Sequence, residues 1–148
     1  MIIYRIVNTQ YKDDISGYGA KLYGGRWNPI GRAVVYCAEH ISLCMLENMV
    51  YMMNDLSKRE FSLVKISIPN ENIQSIDYQS LKKKWIKDVD YTQWVGAQFL
   101  NQNGFVLKVP SAIVEEEFNY LINPEHINFG EIKIISAKPF IFDERLFY

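Results

Sequence analysis

Residues 17–47 read GYGAKLYGGRWNPIGRAVVYCAEHISLCMLE, and this stretch organises the chain. Five of the eight glycines (Gly17, Gly19, Gly24, Gly25, Gly31) fall in its first half, among Lys21, Arg26, Arg32, Tyr18, Tyr23 and Trp27. Glycine lets a ligand approach the backbone closely. Arginine presents a planar fork suited to phosphate, and aromatic rings offer faces for stacking. Next comes Ala33 to Ala38, a short buried-strand pattern containing Tyr36. A helix-like run follows, from Ser42 as N-cap to about Asn54, apolar on almost every face and therefore expected to be largely buried. Glu47 is the lone acid inside it. Two readings follow: a nucleotide site, or a glycine-rich connection between two core elements.

Outward from that stretch, 148 residues suit one domain, 1–148, with no repeat or linker. An apolar fraction of 49% and a charged fraction of 22% describe an ordinary globule able to build its own core. The net charge of -1 supplies no basic field, which argues against direct nucleic-acid binding. No apolar run is long enough to span a membrane, and MIIYRIV lacks the anatomy of a signal peptide. A cytoplasmic location is expected. Cys37 and Cys44 read as small buried hydrophobes, and with His40 they match no zinc spacing, so no metal is expected.

Ile2 to Val7 is a β-branched strand with Arg5 as an odd charge inside it. Asn8 to Arg32 reads as one long irregular connection. Strands are expected at Phe61–Ile68, Ile73–Asp77, Phe105–Val109, Ser111–Val114, Phe118–Ile122 and Glu131–Ser136. Residues 80–88 carry the densest basic run, a solvated turn or helix edge. A second helix is expected over Tyr91–Gln102, closed by Gly104. The aromatic tail from Pro139 to Tyr148 is expected to pack back on the body. Short, mostly antiparallel strands with a few helices give an α+β class.

The glycine loop fits neither the P-loop pattern nor the dinucleotide fingerprint, because Leu22 stands where the third glycine of the latter should be. Arg26 beside Gly24 and Gly25 suits a pyrophosphate, although a surface salt bridge is the commoner fate of an arginine. Tyr36 suits ring stacking or plain core packing. Glu47 suits catalysis, or a thin polar stripe shared with Asn48 and Tyr51. No carboxylate pair for ordinary glycoside hydrolysis is evident, and Ser111 lacks the context of a triad nucleophile.

Ser16-Gly17, Gly19-Ala20, Gly24-Gly25-Arg26-Trp27-Asn28, Gly31, Val35-Tyr36 and Leu46-Glu47 together resemble the signature of the RES domain. Pro110-Ser111-Ala112, Asn119 to Pro124 (NYLINP) and His126 resemble its second block. Ile127 departs from the proline usual after that histidine. The resemblance spans nearly the whole chain. It implies a compact fold similar to ADP-ribosyltransferases and a toxin that depletes NAD by cleaving the nicotinamide–ribose bond. It further implies Arg26, Tyr36, Glu47 and Ser111 as catalytic residues, and Gly24, Gly25, Arg26, Asn28 and Tyr36 around the NAD. NAD would be substrate, without further cofactor. The partners implied are a cognate Xre-type antitoxin covering the cleft and a second copy of the toxin. The rival functions are ADP-ribosylation of a protein and a nucleotide-binding module without turnover.

Overall fold

The computed structural model describes residues 1–52 and 59–147. Seven strands form one sheet in the order β4-β5-β6-β2-β1-β3-β7. They are β1 (Ile2–Asn8), β2 (Val35–Ala38), β3 (Phe61–Ser67), β4 (Ile73–Ser75), β5 (Val106–Pro110), β6 (Phe118–Ile122) and β7 (Lys133–Phe140). All neighbours are antiparallel except β4 and β5, which run parallel. With helices α1 (Tyr18–Tyr23), α2 (Ile41–Met52) and α3 (Val89–Asn101), the class is α+β.

Alternation along the strands sorts the core into three regions. On one face, Ile3, Val35, Cys37, Val64, Val106 and Ile122 pack together beneath Phe105 and Ile132. On the other face, α3 covers Leu107, Val109 and Leu121 with Phe99 and Leu100, and Trp27 and Trp85 join them. Further along that face, α2 sets Leu43 and Cys44 on Ile6, Ala38 and Phe61. Phe142 closes this third region, edge-on to both Phe61 and Phe140, so the tail does pack back.

The arrangement hinges on the middle of the sheet. β1 pairs with β3 at seven positions, and β2 pairs with β6 at four. Between β1 and β2 the register holds at Tyr4↔Ala38 alone. Continuing it would set Arg5 opposite Cys37 and Ile6 opposite Tyr36. The strands part there instead, and a cavity of about 560 Å³ opens at the split.

Several expectations need correction. Residues 8–32 are not one irregular connection, because a 3-10 turn at Thr9–Tyr11 and helix α1 lie within them. Helix α2 starts one residue before Ser42, with the His40 carbonyl accepting from the Cys44 N–H; its expected end at Asn54 lies outside the described residues. It is not buried all round, since Val50 is 59% and Tyr51 70% exposed. Ser111–Val114 is a turn and not a strand, because the Ser111 hydroxyl accepts from the Ile113 and Val114 N–H groups at 3.0 and 3.1 Å. At the end of α3 the left-handed residue is Asn103 (φ 57°), and Gly104 follows it by donating its N–H to the Phe99 carbonyl. The basic run is solvated at its lysines, yet it anchors the core through buried Leu81 and Trp85. Among the described residues no helix is long and apolar enough to cross a membrane.

Gly96 shows how tightly α3 meets the glycine loop. A Cβ at this position would stand 1.6 Å from the Trp27 carbonyl oxygen. Gly96→Ala is therefore expected to push helix and loop apart and to lower stability by about 1–3 kcal/mol, as overpacking usually does. Thermal melting checks this, and an unchanged melting temperature would contradict the contact.

Candidate active site

The cavity takes its walls from the glycine loop, α1, α2 and the parted strands β1 and β2. Gly24, Gly25, Arg26, Tyr36 and Glu47 all line it. Asn28 and Ser111 do not. Both are fully buried behind the wall, and each holds a residue that does face the cavity.

Asn28 ties the loop together. Its Nδ2 donates to the carbonyls of Ala20 and Arg32 at 2.8 and 2.9 Å. Its Oδ1 accepts the Tyr36 hydroxyl at 2.6 Å, and that hydroxyl in turn accepts the Trp27 N–H at 3.0 Å. A Cβ on Gly25 would stand 2.7 Å from the Tyr36 hydroxyl oxygen, so only glycine leaves room for this bond pair. Burial pushes the Tyr36 phenol well above its ordinary range, so it stays a neutral donor. With the hydroxyl tied back, the ring is a fixed piece of the cavity wall.

Arg26 is clamped at both ends. Its carbonyl accepts the Thr92 hydroxyl of α3 at 2.5 Å, while its Nη1 donates to the Ile86 carbonyl at 2.8 Å. Gln93 holds the preceding carbonyl, that of Gly25, at 2.9 Å. The alternative of a surface salt bridge is not seen: among the described residues no carboxylate pairs with Arg26. The guanidinium keeps donors in reserve on a rigid mount.

Glu47 projects from α2 beside Asn48 and Tyr51, so the polar stripe expected on this helix is the part that faces the cavity. Its Oε1 accepts the Ser111 hydroxyl at 3.0 Å and the Asn119 Nδ2 at 2.6 Å. Among the described residues no partner holds Oε2. Ser111 thus gives its proton to Glu47 while taking two backbone N–H groups, which fixes both the β5–β6 turn and the carboxylate. The result is a half-buried negative charge, locked in orientation, with one oxygen free for chemistry.

Asn119 and Arg5 also line the cavity, and sequence reasoning did not assign them to the site. Asn119 sits on β6 opposite Ala38, one residue past the start of a strand whose alternation marks it only as polar. Cys37 and Cys44 contribute sulfur to the wall, and burial pushes both thiols up to about 12, which keeps them protonated and inert. Among the described residues no three His, Cys, Asp or Glu side chains gather as metal ligands. Ile127 is 89% exposed and outside the cavity, so the departure from the usual proline does not touch it.

Comparison with known proteins bears on the family and the fold. The RES domain model matches residues 2–143. A protein named Toxin Res from Yersinia enterocolitica is 38% identical over 99% of both chains. A Prs ADP-ribosylating toxin from a Sphingobium species is 36% identical over 93% of this chain and 89% of its own. Among solved structures, a chain of the M. tuberculosis MbcT–MbcA toxin–antitoxin complex superposes with a TM-score of 0.82, covering 95% of this chain and 84% of that one. At 20% identity that likeness speaks for the fold alone. The chain belongs to the RES domain family.

Proposed function

We propose that this chain is the toxin of a toxin–antitoxin pair and that it depletes NAD by cleaving the nicotinamide–ribose bond. The observation that carries the reading is the held Glu47 carboxylate, the one acid among the described residues of a cavity that also holds Arg26 and the fixed Tyr36 ring. Nicotinamide is a cationic leaving group. When its bond to ribose C1′ breaks, the electron pair leaves with the ring nitrogen, and the ribose is left as an oxocarbenium ion. One preorganised carboxylate can stabilise that cation and orient the ribose hydroxyls, so no second acid is needed. Arg26 suits the pyrophosphate, and the Tyr36 ring suits the face of the nicotinamide. Ser111 and Asn28 act as positioning residues, the first on Glu47 and the second on Tyr36. Water or phosphate then attacks C1′.

A second reading, transfer of ADP-ribose to a protein, is favoured by the Sphingobium relative, whose name is that of an ADP-ribosylating toxin. Incubation of purified protein with NAD separates the two. Nicotinamide with free or phosphorylated ADP-ribose supports NAD depletion, and label retained on a protein supports transfer. Absence of nicotinamide release in the presence of water, phosphate and cell extract would reject both.

The partner proposed is an Xre-type antitoxin in the cytoplasm. A cavity that opens beside exposed Tyr23 and Tyr51, at 82% and 70%, is readily closed by an inserted chain end. Self-association of the toxin is part of the same proposal. A complex that leaves the mouth at Arg26 and Glu47 open would count against it.

A further inference from the structure

Residues 82–87 (KKKWIK) form the densest basic run of the chain. Lysines on a surface turn ordinarily sit on mobile backbone, but this turn is fixed. Leu81 before it and Trp85 within it are buried in the core that α3 covers. Lys84 takes the left-handed region (φ 62°) that side chains seldom adopt, and Trp85–Lys87 closes as a 3-10 turn. Lys82 pairs with Asp88, whereas among the described residues no carboxylate pairs with Lys83, Lys84 or Lys87. All three are exposed.

The turn adjoins two further features. Its Ile86 carbonyl accepts the Arg26 Nη1 at 2.8 Å, so it flanks the arginine wall of the cavity. On its other side the Lys82 N–H donates to the Tyr91 hydroxyl at 3.3 Å, and the Lys82 Nζ lies 4.8 Å from the centre of the Tyr91 ring. Tyr91 stacks on Trp94 with centroids 6.3 Å apart and planes 21° from parallel, and Trp94 is 59% exposed. Large rings held in place beforehand are the side chains that anchor protein interfaces.

We propose that this turn and the Tyr91–Trp94 pair form a docking ledge for an acidic segment of a partner protein. Its carboxylates meet Lys83, Lys84 and Lys87, and an apolar side chain of the segment covers Trp94. Charge complementarity selects the occupant. A nucleic-acid strand repeats its charge at every nucleotide and needs a longer basic track. Here the lysines are bounded by Asp88 and Asp90, on a chain of net charge -1. A short acidic segment needs only the patch. A segment on this ledge passes the carbonyl that mounts Arg26, so the ledge is placed to lead a protein to the cavity. The inference does not depend on the NAD reading.

Fluorescence anisotropy tests this on the intact chain, with a labelled peptide of glutamates around one central leucine at low ionic strength. The parent should bind the peptide, and added salt should weaken the complex. Lys83→Gln combined with Lys87→Gln should weaken it by about fivefold to twentyfold, and Trp94→Ala by a similar factor. Circular dichroism checks each fold, and if one variant does not fold, the other decides. Equal affinity in parent and folded variants would place the peptide elsewhere and overturn the proposal. No binding by the parent, or equal binding of a lysine peptide of the same length, would also overturn it. So would tighter binding of a labelled oligothymidine, which would make the ledge a nucleic-acid surface. Peptide binding through these residues by a chain that leaves NAD intact would keep this inference and reject the NAD-cleaving function.

Discussion

Glu47→Gln is expected to slow NAD consumption by about 10²–10³-fold and to abolish growth arrest in cells that lack the antitoxin. The substitution is nearly isosteric. A glutamine Oε1 can go on accepting the Ser111 hydroxyl and the Asn119 amide, so the β5–β6 turn and the cavity wall keep their bonds. What disappears is the negative charge on the oxygen that no described residue holds. That charge is the element placed to face a cationic ribose, and a preorganised stabiliser of this kind acts only as the transition state forms. Among the described residues no cation pairs with Glu47, so its neutralisation breaks no ion pair, and the melting temperature should stay close to the parent's. NAD binding should survive, because the groups suited to the phosphates are untouched. A folded Glu47→Gln protein that consumes NAD at the parental rate would remove Glu47 from the mechanism and leave it as one member of a polar stripe.

The strands were legible where the chain carries branched apolar runs: β1, β2, β3, β5 and β6 all lie within a residue or two of expectation. Helix α1 was not, because YGAKLY is short and flanked by Gly17 and Gly24, and it is tied to the loop by the Asn28 amide on the Ala20 carbonyl and the Gly31 N–H on the Lys21 carbonyl rather than formed by propensity. The burial of α2 was overestimated for a different reason. Apolar composition says what a helix can bury, whereas Val50 and Tyr51 are exposed because no element among the described residues covers that side. Ser111–Val114 has strand-like composition, but one hydroxyl accepting two backbone N–H groups bends it into a turn.

The site divides along the same line. Glu47 was conspicuous as a single acid in an apolar helix, and Arg26 as a fork among glycines. Asn28 and Ser111 were visible in the motifs, but not their place behind the wall, which only the hydrogen bonds reveal. Arg5 was visible as an oddity. Its direction depends on the parting of β1 from β2, a long-range event that no local pattern encodes.

Arg26→Lys separates binding from chemistry. The parent guanidinium spends Nη1 on the Ile86 carbonyl and still has a fork to offer, and the main chain beneath it is held by Thr92 and Gln93 of α3. Lysine keeps the positive charge but is a flexible point donor. It cannot satisfy Ile86 and grip two phosphate oxygens in one plane. The expected result is an apparent NAD affinity weaker by roughly tenfold to a hundredfold, with turnover of bound substrate within a few fold of the parent, because the lost contact is made equally in ground and transition states. Steady-state kinetics over a wide NAD range reads this as a raised KM with kcat preserved. A lowered kcat at unchanged KM would instead place Arg26 against the reacting ribose. Unchanged kinetics would show that the pyrophosphate is held elsewhere. Lys21 and Arg32 were the next cations along the loop, yet neither lines the cavity, and Arg32 Nη1 donates to Asn101 Oδ1 at 2.7 Å. Among the described residues the remaining cation on the wall is Arg5, so insensitivity to Arg26→Lys would transfer the phosphate contact to β1.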